Sequence, residues 1–212
     1  MRKVFIIDFD YTLSDTSKVK ADITDTLTSK IGKEITKHFW EYYEKTKKQN
    51  GRIDFPQTLI DFIDLNKKEI ISTTAIDIFK SLPFDMHLHS GVKDAFKSLQ
   101  KQGDIYIYSE GEPNYQLEKV RKSGLDIYTK EVFCFTDKLK NLPTLFNTFK
   151  DYKIIYVEDK VKYLIEAEKL NPNIITVFVN QGEYAQNADD QDIKQIDYSI
   201  KTFSEINRLT FD

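Results

Sequence analysis

Five short apolar runs, at residues 4–7, 105–108, 132–135, 154–157 and 174–179, constrain this chain more than any other feature. Each has the length of a strand buried on both faces, and helical periodicity fills the gaps between the last four. Val92, Phe96 and Leu99 mark one helix face, ended near Gly103. Pro113 opens a second helix running through Leu117 and Val120 to Gly124, and Pro143 opens a third carrying Leu145, Phe146 and Phe149. Val161, Leu164, Ile165 and Ala167 mark a fourth. Such alternation predicts an α/β fold, a doubly wound, Rossmann-like parallel sheet. Asp197, Tyr198, Ser199 and Ile200 offer a short further edge strand.

Residues 14–87 break the alternation with helical patterns and no strand. Ser14 or Asp15 can cap a helix with Val19, Ile23, Leu27 and Ile31 at four-residue spacing, stopped by Gly32. A second holds His38, Phe39, Trp40, Tyr42 and Tyr43 and ends at Asn50-Gly51. Pro56 opens a third with Leu59, Ile60, Phe62 and Ile63. A fourth, with Ile70, Ile71, Ile76, Ile78 and Phe79, stops before Pro83. The expected plan is a core domain of residues 1–13 and 88–212 carrying a small all-helical cap domain at 14–87.

The first run ends in two acids, Asp8 and Asp10. Alternation puts them on one side, and ligands of open α/β sheets bind beyond the carboxyl ends of the strands. Neighbouring carboxylates need a cation or a shared proton, and magnesium, which takes hard oxygen ligands, is the natural partner. Carboxylate attack on phosphorus is the chemistry that follows.

The stretch DFDYTL, residues 8–13, resembles the first motif of the haloacid dehalogenase superfamily of phosphohydrolases, Asp-x-Asp-x-Thr/Val. The resemblance implies that Asp8 is the nucleophile and a metal ligand. It implies that Asp10 is the general acid/base, with its backbone carbonyl on the metal. Tyr11 stands where many members have Gly. Ser109, after the second run of the core, resembles the second motif, a Thr or Ser that contacts phosphate, with Glu110 beside it. A lysine must offset phosphoryl charge. Lys140, three residues before Pro143, is similar to the common form; Lys138 lies nearer the strand end and fits some relatives. The spacing leans to Lys140. Asp159 resembles the metal ligand of the fourth motif, with Glu158 a departure that can help hold the metal or its waters. Many relatives have an acid four residues after that Asp, where this chain has Tyr163.

Composition narrows the partners. A net charge of −3 provides no basic footprint for nucleic acid, and no apolar run approaches a membrane span. Four apolar residues between Lys3 and Asp8 are too few for a signal peptide, and the single cysteine, Cys134, cannot form an internal disulfide; both fit the cytoplasm. Cys134 reads as a buried, inert thiol. His87 and His89 lack a third zinc ligand nearby and read as hinge or surface residues. Trp40, Tyr42 and Tyr43 read as cap core, and the lysines at 45, 47, 48, 67 and 68 as solvated faces. Gly182 and Tyr184 fall on the site side without an assigned role.

Together these readings predict a Mg2+-dependent phosphatase that hydrolyses a small phosphomonoester through an aspartyl-phosphate, its cap choosing the substrate. A phosphomutase, or a non-catalytic phosphate-binding protein with a degenerate site, are the alternatives. Dehalogenation is disfavoured because carbon–halogen displacement needs no acid at Asp10.

Overall fold

The computed structural model describes residues 2–50, 53–67, 70, 75–81 and 87–211. Six parallel strands form one sheet: β1 (Lys3–Ile7), β2 (Gly103–Glu110), β3 (Glu131–Phe135), β4 (Lys153–Glu158), β5 (Ile175–Val179) and β6 (Tyr198–Ile200). Their order is β3-β2-β1-β4-β5-β6, so the chain runs outward from β1 in one direction and then in the other. Ile7 is level with Ile107 of β2 and Val157 of β4, which sets the point where all three strands deliver their ends.

The apolar runs are strands because both faces of the sheet are covered. Phe5 and Ile7 face a layer containing Val92 and Phe96 of α5 (Val92–Leu99), Val120 of α6 (Pro113–Ser123), and Phe203. Val4 and Ile6 face the opposite layer, with Leu142 and Phe146 of α7 (Lys138–Thr148) and Leu164 of α8 (Val161–Leu170). Burying one such side chain contributes roughly 1.5–3 kcal/mol, so both layers favour the same register of β1. A short helix, α9 (Asp190–Ile193), follows β5.

Between β1 and α5 lie α1 (Thr16–Ile31), α2 (Lys33–Asn50), α3 (Phe55–Leu65) and α4 (Ala75–Lys80). They share a separate apolar cluster centred on Phe39, whose ring meets those of Trp40, Tyr43, Phe55 and Phe62 at 5.2–6.3 Å. Asp15 caps α1 by accepting from the Lys18 N–H, and Gly32 closes it with φ 84°. The fourth helix is described over Ala75–Lys80: Ile70 lies outside it, while Ile71 and Pro83 lie outside the described residues. The chain leaves and re-enters the sheet side by side, with Asp15 N–H bonded to His87 O (2.7 Å) and His89 N–H to Leu13 O (2.9 Å). His87 is buried there, its Nε2 2.6 Å from Asp22 Oδ2 of α1, so it ties the crossing to the helices.

One helix start departs from the sequence reading. Pro143 lies inside α7 and does not open it, because Asp137 caps the helix one turn earlier by accepting from the Lys140 N–H (3.0 Å). Cys134 is half-buried on edge strand β3, and burial pushes its thiol up to about 11, which keeps it protonated. Among the described residues no helix is long and apolar enough to cross a membrane.

Candidate active site

Asp8 continues the ladder past β1, its N–H bonded to Val157 O at 2.9 Å. The chain then turns sharply, with Leu13 N–H returning to Phe9 O and Tyr11 in the left-handed region at φ 63°. This turn delivers Asp8, Asp10 and Thr12 to the carboxyl end of the sheet. Asp8 Oδ2 accepts from Thr12 Oγ1 (3.0 Å), and Asp8 Oδ1 pairs with Lys138 Nζ (2.5 Å).

Lys138 is buried beside Asp8, 1% exposed at the first turn of α7. Its ammonium lies 2.5 Å from both Asp8 Oδ1 and Glu158 Oε2, beneath the rings of Tyr108, Tyr156 and Tyr163. Burial opposes its charge, but the two carboxylates hold it well above the ordinary lysine value. Lys140 is exposed and contributes its backbone N–H to the Asp137 cap. Of the two lysines weighed, the structure places Lys138 against Asp8, because the start of α7 at Lys138, rather than at Pro143, turns that side chain inward.

Glu158 is fully buried and its carboxylate has four donors. Oε1 accepts from the N–H groups of Asp159 and Lys160, and Oε2 from Lys138 Nζ and the Tyr156 hydroxyl. Burial works against its charge, yet the attraction of Lys138 and Lys160 keeps it below the usual carboxylate range. Asp159 beside it is different. Its Oδ2 is buried with no partner, and burial, then the charges of Glu158 and Asp8, push its carboxyl up to about 10. Asp8 itself is raised to about 6 by burial and Glu158, partly offset by Lys138 and Lys160.

Asp10 belongs to a second network that the sequence reading did not contain. It pairs with Lys119 of α6 and accepts from Gln116 Nε2 (3.1 Å) and Thr16 Oγ1 (3.1 Å). Burial raises its carboxyl, but Lys119 and these hydrogen bonds bring it below the ordinary carboxylate value. The missed signal lay in α6, whose buried stripe is Gln116, Lys119, Val120 and Ser123. Polar side chains at the core-facing period of a helix need partners in the interior.

Ser109 is the penultimate residue of β2, next to β1, buried, with Oγ unpartnered. Glu110 points to a different cluster, accepting from the Tyr163 hydroxyl (3.2 Å) with Lys160 Nζ at 3.4 Å. Tyr163 thus supports Glu110 at the position where the resemblance implies an acid. Tyr11 and Gly182 are clamped together: Tyr11 donates to Glu183 Oε2 (2.9 Å), and a Cβ at Gly182 would stand 2.7 Å from the Tyr11 Cβ. Above all these groups is a cavity of about 1180 Å³, walled on the far side by α1, α2 and α3.

The residues present fit a divalent cation. Asp8, Glu158 and Asp159 each offer a carboxylate oxygen within 4.8 Å of the others, and Asp159 Oδ2 has no other partner. Three buried acids of hard oxygen chemistry suit magnesium.

No protein-family model matches the chain, and a search of curated proteins finds no relative. Solved structures do match. A haloacid dehalogenase-like hydrolase from Burkholderia xenovorans superposes with a TM-score of 0.84 at 22% identity, over 98% of this chain and 96% of that one. A HAD-hydrolase of Bacillus subtilis bound to magnesium has a TM-score of 0.66 at 15% identity, covering 98% and 97%. L-2-haloacid dehalogenase of Xanthobacter autotrophicus has a TM-score of 0.64 at 15% identity, covering 99% and 98%. With its 3-2-1-4-5-6 sheet and the helices inserted after β1, the chain has the haloacid dehalogenase-like fold.

Proposed function

We propose that this chain is a magnesium-dependent phosphatase that hydrolyses a small phosphorylated metabolite through an aspartyl-phosphate on Asp8. The observation that carries the reading is a pair of unpartnered buried atoms, Ser109 Oγ near the end of β2 and Asp159 Oδ2 just past the end of β4, the two strands that flank β1. A hydroxyl suits a phosphoryl oxygen and a carboxylate oxygen suits a cation.

In the first step a carboxylate oxygen of Asp8 forms a bond to phosphorus as the bond to the leaving oxygen breaks. Ser109 and Lys138 hold the phosphoryl oxygens against the charge that spreads over them. Asp10 delivers a proton to the leaving oxygen. At rest it is charged on Lys119; an arriving phosphoryl dianion opposes Lys119 and raises the proton affinity of Asp10, which takes up from solvent the proton it delivers. In the second step Asp10 takes a proton from water, the water oxygen bonds to phosphorus, and the bond to Asp8 breaks. Magnesium, held by Asp8 and Asp159 with Glu158 beside them, would supply positive charge to the phosphoryl oxygens. The helices over the cavity would exclude water and select the leaving group.

A haloacid dehalogenase is the second reading, favoured by the likeness to L-2-haloacid dehalogenase. Displacement at carbon requires neither the proton of Asp10 nor a three-carboxylate cluster, and a 2-haloacid would fill little of a cavity this large. Phosphate release from an aryl phosphate in magnesium, assayed beside halide release from 2-chloropropionate, separates the two. Phosphate release that disappears in Asp8→Asn is the expected result; halide release alone would overturn the proposal.

A further inference from the structure

The wall of the cavity opposite the acids carries information about the leaving group. Trp40 and Tyr43 of α2, Phe55 of α3 and Tyr115 of α6 all line it, together with apolar Ile23 and Ile53. The aromatic residues of α2 divide their duties: Phe39 is the buried centre of the helical cluster, while Trp40 and Tyr43 both pack on it and border the open space. Tyr115 stacks on Phe55 (5.5 Å, 23° between planes), and the ammonium of Lys119 lies 5.3 Å from its ring centroid. A column of rings therefore rises from the Asp10–Lys119 pair to the helices above. Tyr43 and Tyr115 both lie within the field of Asp10: burial first, and then that carboxylate (after Glu44 for Tyr43), raises both phenols.

We propose that the leaving group carries a planar aromatic ring, so that the substrate is an aryl or nucleoside monophosphate. Its ring lies against Trp40, Tyr43 and the Phe55–Tyr115 stack while its phosphoryl group meets Asp8. This deepens the phosphatase reading and rests on it. A ligand extending from Asp10 into the cavity has these aromatic side chains among its walls, and ring-on-ring contact adds to the area it buries. The cavity, about 1180 Å³, exceeds the roughly 300–1,000 Å³ that encloses a drug-sized ligand, so a short alkyl phosphate would leave this wall wet. Polar groups beyond the rings, Asn50 and Gln57, can meet the edge of a heteroaromatic base.

Trp40 is the chain's single tryptophan and so reports on this wall alone. Asp8→Asn protein in magnesium is titrated with adenosine monophosphate, naphthyl phosphate, glycerol phosphate and inorganic phosphate, with correction for ligand absorbance. Saturable quenching by at least one aromatic ester, with none by glycerol phosphate or inorganic phosphate, is the expected result. In the unsubstituted enzyme kcat/KM for that ester should exceed the value for glycerol phosphate by about tenfold or more, and Phe55→Leu should narrow the ratio. Equal quenching by glycerol phosphate, no quenching by either aromatic ester, or a kcat/KM ratio near one overturns the proposal. If an aromatic ester quenches Trp40 but no ester is hydrolysed, the ring site stands and the phosphatase reading falls.

Discussion

Lys138 Nζ lies 2.5 Å from Asp8 Oδ1, an ion pair formed across 130 positions of sequence and sealed from solvent. Glu158 completes it, so one ammonium serves two carboxylates. This arrangement makes Lys138 a structural counter-charge at Asp8, and on the proposed reading a phosphoryl ligand as well.

Removing it should therefore damage stability as well as turnover. Lys138→Met leaves two buried carboxylates facing one another, and breaking a buried pair costs about 3–5 kcal/mol. For a chain of this length that is a fall in Tm on the order of 10 °C, at about 2–4 °C per kcal/mol. Lys140→Ala, at an exposed position, should stay within about 0.5 kcal/mol of the parent and keep its turnover. Thermal melts and phosphate-release rates of the two variants check this, and equal behaviour would return the assignment to Lys140.

Asp159 sets how magnesium and pH interact. Its carboxyl is raised to about 10 and that of Asp8 to about 6, from an ordinary 3.8. An acid whose folded value is raised contributes stability that is complete below the unfolded value and is lost as pH rises through the folded value. Without metal, the protein should lose stability from about pH 4 upward, through pH 6 and on towards pH 10. A divalent cation reverses that loss, so the rise in Tm on adding magnesium should be larger at pH 8 than at pH 5. Asp159→Asn should remove most of the magnesium effect. A magnesium shift independent of pH in the parent protein would count against the site.

The Asp10–Lys119 pair has the opposite sign. Asp10 is held below its ordinary value of 3.8, so its contribution is present above that pH and fades as pH falls through the folded value. Lys119→Met should accordingly lie furthest below the parent in Tm near neutrality, with the gap closing below about pH 4. It should also slow turnover, because Asp10 loses the partner that orients it. Parallel melting curves across that pH range would reveal a different partner for Asp10 if the gap stays constant.

Gly182→Ala tests the clamp on the nucleophile turn. Its φ of 86° disfavours a side chain, and the new Cβ would stand 2.7 Å from that of Tyr11, itself at φ 63°. A cost of about 1–3 kcal/mol is expected, together with lower kcat, because Tyr11 lies between the two site acids and Thr12. A variant with unchanged Tm and kcat would show that the turn adapts freely.

Much of this architecture is written in short-range pattern. The apolar runs mark β1 to β5, Asp15 and Gly32 delimit α1, and the spacing of Asp8 and Asp10 at a strand end announces an acidic site. Period and capping are properties of neighbours in sequence, so they can be read without the fold. The lean to Lys140 rested on the same kind of pattern: its spacing to Pro143 resembled a helix start, while the competing cap at Asp137 puts the start at Lys138.

What the sequence alone determined is therefore the order of elements and the presence of carboxylates at the tips of the central strands. The tertiary structure decided which charges meet: Lys138 with Asp8 and Glu158, Lys119 with Asp10, and Tyr11 against Gly182. It also decided that Ser109 Oγ and Asp159 Oδ2 are among the buried polar atoms left without a partner. A buried charge takes its partner from strand register and helix position, and these are set by packing across the whole sheet.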